Sequence, residues 1–278
     1  MDWEHFEVDS TTGGWMSGEG AGLALLVHGG PGMSDYMDGV ADEVAEALPD
    51  HRVARYQQRG LAPSTTEGPL TVAQLVDDLW AVVDHLGGAS VVLVGHSWGG
   101  HLAMHAAVAH PELTSGMVLL DSLGAVGDGG QSTMQPVIAS RLNDAAITEV
   151  LGLLEQDLSS VEAGTRQVQL VWPGYFADPA NAPEPPPISY DLAVGGAVMA
   201  DAGSLLAAGV LEAALPMLAV PSVHVIGRAS PIDPDANRAT AALCRNAVVV
   251  ELDTGHFPWI EQPGCVTAAV RRLPVVPR

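Results

Sequence analysis

Short runs of valine and leucine alternate along the chain with stretches in which apolar residues recur at helical spacing. The runs lie at 23–27, 51–56, 91–94, 117–120, 223–226 and 248–252. Continuous apolar runs of this kind are typical of parallel strands that crossover helices bury on both faces. The pattern therefore predicts an α/β fold with a mostly parallel sheet.

Helical periodicity fills intervals between these runs, at about 38–48, 71–86, 98–109, 234–244 and 263–272. Residues 2–20 contain two weaker extended stretches separated by Thr11-Thr12-Gly13-Gly14. Such a pair predicts an antiparallel hairpin at one edge of the sheet. The expected sheet then has about eight strands, with helices on both faces.

The alternation of strands and helices stops between Asp121 and Pro221. Helical periodicity continues there at about 134–157, 160–172 and 191–213, and a proline-rich segment at 179–187 is expected to be a surface connector. A structureless loop of that length is rare in a compact domain, so the segment predicts an inserted helical cap. We expect the cap at 123–214, between core segments 1–122 and 215–278.

Composition narrows the range of partners. The 278 residues include 11 basic ones, all arginine, against 33 acidic ones, which gives a formal net charge of −22. So acidic a chain disfavours nucleic acid and anionic membranes as binding partners. The sequence also contains no uninterrupted apolar run of about 18 residues, the length that could span a bilayer. The acidic start lacks the pattern of an export signal, which makes the cytoplasm the expected location. Cys244 and Cys265 are expected to be reduced packing residues.

The pentapeptide Gly95-His96-Ser97-Trp98-Gly99 follows the run at 91–94 and precedes an apolar helical stretch. The spacing of glycine, serine and glycine is weak evidence alone, but a sharp strand-to-helix turn needs small residues on both sides of its serine. Such a turn lifts the hydroxyl above the carboxyl edge of the sheet and directs a helix N-terminus towards it. We therefore expect Ser97 to be a nucleophile.

A second glycine cluster, His28-Gly29-Gly30-Pro31-Gly32, ends the run at 23–27. Its glycines allow the backbone to approach a substrate closely. The N–H groups of Gly30 and Trp98 are the expected pair of donors to a developing oxyanion. Gly29 is expected to contact the substrate, and His28 to be a structural hydrogen-bonding residue.

His256 follows the last predicted strand, within Asp253-Thr254-Gly255-His256-Phe257-Pro258. Sites in open α/β sheets form at the carboxyl ends of strands. A serine hydroxyl becomes a good nucleophile when an adjacent imidazole takes its proton. In hydrolases built on such a sheet, the nucleophilic serine, the acid and the histidine follow one another in this order along the chain. His256, which comes late in the sequence, is therefore the expected general base.

These motifs resemble the α/β-hydrolase superfamily, and within it the branch with His-Gly-Gly-Pro-Gly and Gly-x-Ser-Trp-Gly-Gly that includes proline iminopeptidases. The loop Tyr56-Gln57-Gln58-Arg59-Gly60 is similar to the Tyr-Asp-Gln-Arg-Gly loop of that branch, and residues 255–259 are similar to its histidine loop. The resemblance implies an α/β-hydrolase fold with a helical cap. Gln57 departs from it by replacing an aspartate, and the predicted cap lacks an acidic pair for a substrate's amino terminus.

The acid of the expected triad is absent from its usual place. The superfamily usually carries it three residues after the glycine that closes the seventh strand, where this chain has Ser230. The available substitutes are Asp121, directly after the run at 117–120, and Asp233, in a proline-rich turn. Certain haloalkane dehalogenases and the zearalenone lactonases carry their acid after the sixth strand, as Asp121 would. We favour Asp121 because a strand terminus holds a carboxylate rigidly.

The resemblance to zearalenone lactonases extends to the predicted cap. Residues 171–176, Val-Trp-Pro-Gly-Tyr-Phe, are similar to the segment that those enzymes lay over their substrate. We expect Trp172 and Tyr175 to contact the substrate, with packing of the cap onto the core as the alternative.

The sequence contains neither a His and Cys cluster at metal-ligand spacing nor a phosphate-binding glycine loop, so no metal and no cofactor are expected.

The sequence thus predicts a serine hydrolase in which Ser97, Asp121 and His256 form a triad that cleaves a carboxylic ester or lactone, with a zearalenone-type macrolactone among the candidates. The alternatives are a proline-iminopeptidase-like aminopeptidase, a ligand receptor that keeps the triad without turnover, and a lyase. The expected partner is a small-molecule ester or lactone, and a homodimer is left open.

Overall fold

The computed structural model describes residues 2–153 and 156–273. Within them, one sheet contains the strands β1 (Glu4–Val8), β2 (Thr12–Ser17), β3 (Gly22–Val27), β4 (His51–Tyr56), β5 (Val91–His96), β6 (Thr114–Leu120), β7 (Ser222–Gly227) and β8 (Ala247–Leu252). Their spatial order is β1-β2-β4-β3-β5-β6-β7-β8. β2 is antiparallel to both of its neighbours, and the remaining pairs are parallel. The predicted eight-stranded, mostly parallel sheet is confirmed.

The register brings the ends of four neighbouring strands to one edge of this sheet. Val27 pairs with Gly95, and Leu120 pairs with both His96 and Val225. The loops that leave β3, β5, β6 and β7 therefore begin side by side. This is the carboxyl edge, where sites form in open α/β sheets.

Helices pack on both faces of the sheet. The α-helices of the described residues are α1 (Asp38–Ala47), α2 (Val72–His85), α3 (Trp98–Ala109), α4 (Met134–Arg141), α5 (Asp144–Gly152), α6 (Ser160–Val171), α7 (Leu192–Ala207), α8 (Val210–Ala214), α9 (Pro234–Leu243), α10 (Pro258–Glu261) and α11 (Cys265–Val270), and α4 to α8 form the insertion between β6 and β7. Leu79 of α2 and Leu102 of α3 belong to the apolar core on one face, and Val40 of α1 and Val266 of α11 to the core on the other. The apolar side chains of the central strands are thus removed from water on both faces of the sheet.

Of the three helical stretches predicted between β6 and β7, the one at about 160–172 is found as α6, and the other two are divided. The helical stretch at about 134–157 contains more than one helix, because Asn143 accepts a hydrogen bond from the Ala146 N–H at 2.9 Å and starts a new helix there. The helix expected over 191–213 also ends early, at Gly209, whose φ of +67° leaves the helical region.

The last two helices of this insertion pack against helices of the core as well as over the sheet edge. Val198, Ala202 and Leu206 of α7 are buried in the same core as α2 and α3.

In the described part of the chain, no single helix is long and apolar enough to cross a membrane, although Leu192–Ala207 and Val210–Met217 would reach that length as a pair bent by 49°.

The amino-terminal hairpin turns earlier than predicted. Asp9 and Ser10 form the turn with φ of 46° and 59°, and Thr12, Gly13 and Gly14 belong to β2. The glycines serve packing in the strand, because a Cβ on Gly14 would lie 2.4 Å from the Phe6 ring. Gly13 and Gly14 therefore lie at a crowded position within a strand, and the turn itself precedes them.

The last helix, predicted over about 263–272, is found as α11, and the short α10, which the sequence pattern did not predict, precedes it. Gly264, with a φ of +86°, separates α10 from α11. Cys265 begins α11 and Cys244 follows α9, and both are buried free thiols. Burial raises the pKa of both thiols, which disfavours the reactive thiolate and fits packing residues.

Candidate active site

Ser97 lies on the turn between β5 and α3. Its φ of 55° and ψ of −123° lie where non-glycine residues are rarely found, so the turn holds this residue in a strained conformation. A Cβ on Gly95 would lie 2.5 Å from the Gly99 carbonyl oxygen, and one on Gly99 would lie 2.0 Å from that of Val27. The close approach of three backbone segments explains why glycine stands on both sides of the serine.

Three side chains from separate loops form one hydrogen-bonded line at the carboxyl edge. Ser97 Oγ is 3.0 Å from His256 Nε2, and His256 Nδ1 is 2.5 Å from Asp121 Oδ2. Asp121 is fully buried, and His256 is only 4% exposed. A carboxylate at Nδ1 holds the proton on that nitrogen and leaves Nε2 free to accept the serine proton.

Asp121 accepts hydrogen bonds at both carboxylate oxygens. The Gly227 N–H donates to Oδ1 at 3.0 Å, and the Ser230 hydroxyl donates to Oδ2 at 2.5 Å. Its φ of 41° turns the chain sharply after β6 and directs the side chain towards the end of β7. Since these bonds come from fixed neighbours, the carboxylate has a defined orientation towards His256.

Asp233 lies outside this line. Its side chain caps α9 by accepting a hydrogen bond from the Asp235 N–H at 3.0 Å. This is the ordinary role of an aspartate before a helix that begins with proline. The geometry thus brings Asp121, and not Asp233, to the imidazole.

Gly30 and Trp98 face the space in front of Ser97. Both line the cavity into which the serine opens. Gly30 has a φ of +54°, and Trp98 is the first residue of α3, so its N–H is one of those left without an intrahelical acceptor. The partial positive charge of the helix N-terminus adds to this arrangement.

Gln58 joins the two loops that carry these N–H groups. Its side-chain oxygen accepts from the Trp98 indole N–H at 2.9 Å, and its side-chain nitrogen donates to the His28 carbonyl oxygen at 2.6 Å. Its own N–H donates to His28 Nε2 at 3.1 Å. Gln58 is not among the site residues predicted from the sequence, although its position in the loop similar to Tyr-Asp-Gln-Arg-Gly was a signal.

Gly29 lies behind the cavity and not on its wall. Its N–H donates to Tyr36 Oη at 3.0 Å, and a Cβ on it would lie 2.3 Å from the same oxygen. The residues that line the cavity begin at Gly30. The structure therefore does not bring Gly29 to the place where it was expected to contact the substrate.

The cavity lies between the sheet edge and the insertion and has a volume of about 170 Å³. The insertion contributes mainly apolar side chains, among them Met134, Ile138, Val168 and Met199. Glutamines at 131, 135 and 167 add polar groups, and in the described ranges no lining residue is Asp, Glu or Arg. A charged substrate group would find no counter-charge on this wall.

Trp172 and Tyr175 both reach the cavity wall, in different ways. Trp172 is 2% exposed, and its indole N–H donates to the Pro183 carbonyl oxygen at 2.7 Å. The Tyr175 ring stacks on the His256 imidazole, with 5.4 Å between the ring centres. Tyr175 also accepts a hydrogen bond from the His256 N–H through its carbonyl oxygen, at 2.8 Å. This insertion segment therefore fixes the position of the histidine.

Glu261 holds the histidine loop against the insertion. Its two carboxylate oxygens accept from the N–H groups of Gly255 at 2.6 Å and Ala177 at 3.0 Å. Burial raises the pKa of this carboxyl, and the two N–H donors and Arg141 act in the opposite direction. Arg141 also donates to the Gly174 and Ala229 carbonyl oxygens, which ties α4 to the core.

Comparisons with known proteins agree with this architecture. A family profile described as the alpha/beta hydrolase fold matches residues 25–263. Lipase LipV of Mycobacterium tuberculosis is 39% identical over 88 residues, which are 32% of this chain and 33% of that protein. The proline iminopeptidase of Lactobacillus crispatus is 32% identical over 106 residues, 36% of each chain. The matched regions span about a third of these relatives' lengths.

A solved structure with a similar fold is the enol-lactonase from Burkholderia xenovorans. It superposes with a TM-score of 0.64 over 96% of this chain and 98% of that chain, at 22% identity. At this level of identity the similarity concerns the fold. The overall fold that the sequence predicts is therefore shared with that protein.

Proposed function

The chain belongs to the alpha/beta hydrolase fold family, and from that membership we propose that it is a serine hydrolase acting on neutral carboxylic esters or lactones. The observation that carries this proposal is the hydrogen-bonded line from Ser97 through His256 to Asp121, which opens into a cavity without charged lining residues in the described ranges.

In the proposed reaction Ser97 Oγ attacks the carbonyl carbon while His256 Nε2 takes the serine proton. Asp121 stabilises the imidazolium that forms. The N–H groups of Gly30 and Trp98 bind the oxyanion of the tetrahedral intermediate, and each such donor typically lowers the barrier by about 3 kcal/mol. His256 then protonates the leaving alcohol oxygen, which leaves an acyl group on Ser97. A water molecule, deprotonated by His256, releases the acid by the same steps.

The lining of the cavity favours a neutral substrate. Transfer of a charged group from water into an uncharged, largely apolar cavity carries a large desolvation cost without an opposite charge nearby. An ester or a lactone has no such charge, and its acyl part gains from contact with Met134, Ile138 and Val168.

The size of the cavity favours a small acyl group. A cavity of 150 Å³ in another protein holds one benzene molecule, and the cavity here has about 170 Å³. A single ring or a short chain fits this space. A resorcylic macrolactone, which carries a macrocycle in addition to its aromatic ring, requires the insertion to move away from the sheet edge.

A proline-iminopeptidase-like activity is the second candidate. The glycine cluster at 28–32 and the similarity to the iminopeptidase of Lactobacillus crispatus favour it. Recognition of a free amino terminus needs a carboxylate near the scissile bond. The described cavity wall offers none, which makes the ester or lactone the better-supported substrate.

The test compares the wild-type protein with Ser97→Ala on a short aryl ester, a small lactone, a resorcylic macrolactone and a prolyl arylamide. We expect Ser97-dependent hydrolysis of the ester and the small lactone, with an acyl adduct on Ser97 in intact-protein mass spectra. Cleavage of the prolyl arylamide alone would assign the chain to the peptidases. Tight binding of a lactone without any Ser97-dependent product would identify a receptor.

A further inference from the structure

A second imidazole lies directly beside the proposed general base. The ring centres of His96 and His256 are 4.6 Å apart, and His96 is fully buried. His96 is the variable residue between the first glycine and the serine of the turn motif, and the reaction proposed above gives it no part. Its two ring nitrogens nevertheless both have partners in the site.

The partners of His96 determine where its proton lies. His96 Nε2 is 2.8 Å from the His256 carbonyl oxygen, and a carbonyl oxygen can only accept, so Nε2 carries the proton. In a neutral imidazole Nδ1 is then an acceptor. Tyr36 Oη lies 2.7 Å from Nδ1 and must therefore donate its hydrogen to it.

Tyr36 continues the same line of hydrogen bonds towards the glycine cluster. With its hydrogen directed to His96, Tyr36 Oη accepts from the Gly29 N–H at 3.0 Å. The oxygen comes this close because residue 29 has no Cβ, which would lie 2.3 Å from it. Gly29 precedes Gly30, whose N–H is the proposed oxyanion donor, so the line ends one peptide from the place where negative charge develops.

We propose that Tyr36 and His96 are positioning residues that fix the oxyanion loop relative to the histidine loop, through bonds that run from the Gly29 N–H to Tyr36 Oη, from the Tyr36 hydroxyl to His96 Nδ1, and from His96 Nε2–H to the His256 carbonyl oxygen. This inference rests on the proposed hydrolase function, because it assigns these residues to the geometry of that site.

The surroundings of His96 favour the neutral ring that this line requires. Phe257 and Trp259 lie with ring centres 5.0 and 4.7 Å from it, and burial, with the neighbouring His256, lowers its pKa well below 6.5. A charged His96 would repel the imidazolium that His256 becomes during the reaction. A neutral His96 with fixed hydrogen bonds supports the base without competing for its proton.

The kinetic test is Tyr36→Phe, which removes both the hydrogen-bond donor and the acceptor and keeps the ring. We expect kcat to fall by about tenfold or more, because alignment in the transition state is lost. The KM should stay within about twofold, because the ring still lines the cavity. Tyr56→Phe is the matched control, since the buried Tyr56 hydroxyl has no hydrogen-bond partner among the described residues.

A double variant and a spectroscopic measurement separate positioning from general structure. His96→Leu and Tyr36→Phe act on one line of bonds, so the double variant should lose about as much kcat as the worse single variant. Nitrogen NMR of labelled histidine should show His96 protonated at Nε2 alone in the wild type. An unchanged kcat in Tyr36→Phe, an effect on KM alone, or an Nδ1-protonated His96 would overturn the proposal.

These results are distinguishable from a failure of the hydrolase function itself. If Ser97→Ala keeps full ester turnover, the proposed function is wrong. The protonation of His96 and the rate at which a fluorophosphonate labels Ser97 in Tyr36→Phe still report on the positioning line. Labelling at the wild-type rate in that variant would count against the line even if ester hydrolysis depends on Ser97.

Discussion

Ser230 donates its hydroxyl hydrogen bond to Asp121 Oδ2 at 2.5 Å, the same oxygen that accepts from His256 Nδ1. Ser230 occupies the position where the resembled superfamily usually carries its acid. The residue that replaces the usual acid is therefore in direct contact with the carboxylate at the imidazole. This contact explains how an acid after β6 and one after β7 can serve the same histidine.

The first prediction concerns this exchange of positions. Asp121→Asn should lower kcat by about four orders of magnitude, because the amide no longer holds the productive histidine tautomer. Adding Ser230→Asp to that variant should restore part of the lost kcat. The side chain at position 230 already lies 2.5 Å from the Asp121 oxygen that contacts His256 Nδ1, so a carboxylate there can take over this contact. Steady-state kinetics on the aryl ester would measure both effects.

Asp233→Asn is the control for the acid, because Asp233 caps α9 away from the imidazole. It should leave kcat within about twofold and lower stability by about 1 kcal/mol or less, because asparagine keeps the capping hydrogen bond and only the negative charge at the helix N-terminus is lost. A large fall in kcat for Asp233→Asn, with Asp121→Asn active, would reverse the assignment of the acid.

The sequence was sufficient for the sheet, because short apolar runs such as 91–94 alternate with longer helical stretches, and this alternation is typical of a parallel sheet. It was insufficient for the insertion, where a single capping residue such as Asn143 or Gly209 divides helices that share one periodicity. The hydrogen bonds that give Gln58 and Tyr36 their roles also could not be predicted, since they join loops that are distant along the chain.

The second prediction tests Gln58. Gln58→Glu keeps the shape and the acceptor for the Trp98 indole, but it places a carboxylate oxygen against the His28 carbonyl oxygen, where the amide now donates. The two oxygens repel each other, so the loops that carry Gly30 and Trp98 should move apart. We expect kcat to fall by about tenfold to a hundredfold, in proportion to a weaker oxyanion site.

A boronic acid, which mimics the tetrahedral intermediate, would show whether that loss lies in the oxyanion site. Its affinity for Gln58→Glu should fall by about the same factor as kcat/KM. Gln262→Glu, at an exposed position, adds the same charge elsewhere and serves as the control. Boronate affinity equal to that of the wild type would exclude a role for Gln58 in holding the donors.

The third prediction concerns stability in acid. Burial lowers the pKa of His101 to about 3 and the pKa values of His105 and His224 to about 4. In the unfolded chain these groups titrate near 6.5. Below about pH 6.5 the unfolded state therefore binds more protons than the folded state, so the free energy of unfolding should decrease as the pH falls towards about 4.

Each of these groups should contribute about 1.4 kcal/mol per pH unit over that interval. His224→Gln removes one titration, and its urea midpoint should depend less steeply on pH between about 6 and 4. His85→Gln, at an exposed position, is the control and should keep the wild-type slope. Parallel slopes for His224→Gln and the wild type would show that His224 does not drive acid unfolding.

The fourth prediction concerns the length of the acyl group. Met199 lines the cavity from α7, and Met199→Ala removes three side-chain heavy atoms from its wall. Each methylene that enters an apolar cavity gains about 0.8 kcal/mol, or about fourfold in kcat/KM, until the space is filled. In aryl esters from acetyl to dodecanoyl, the optimum should therefore lie about two to three carbons higher in Met199→Ala than in the wild type. Met217→Ala is the control, because Met217 is 73% exposed and lies outside the cavity, and it should keep the wild-type optimum. A shift of the optimum in both variants, or in neither, would show that Met199 does not limit the length of the acyl group.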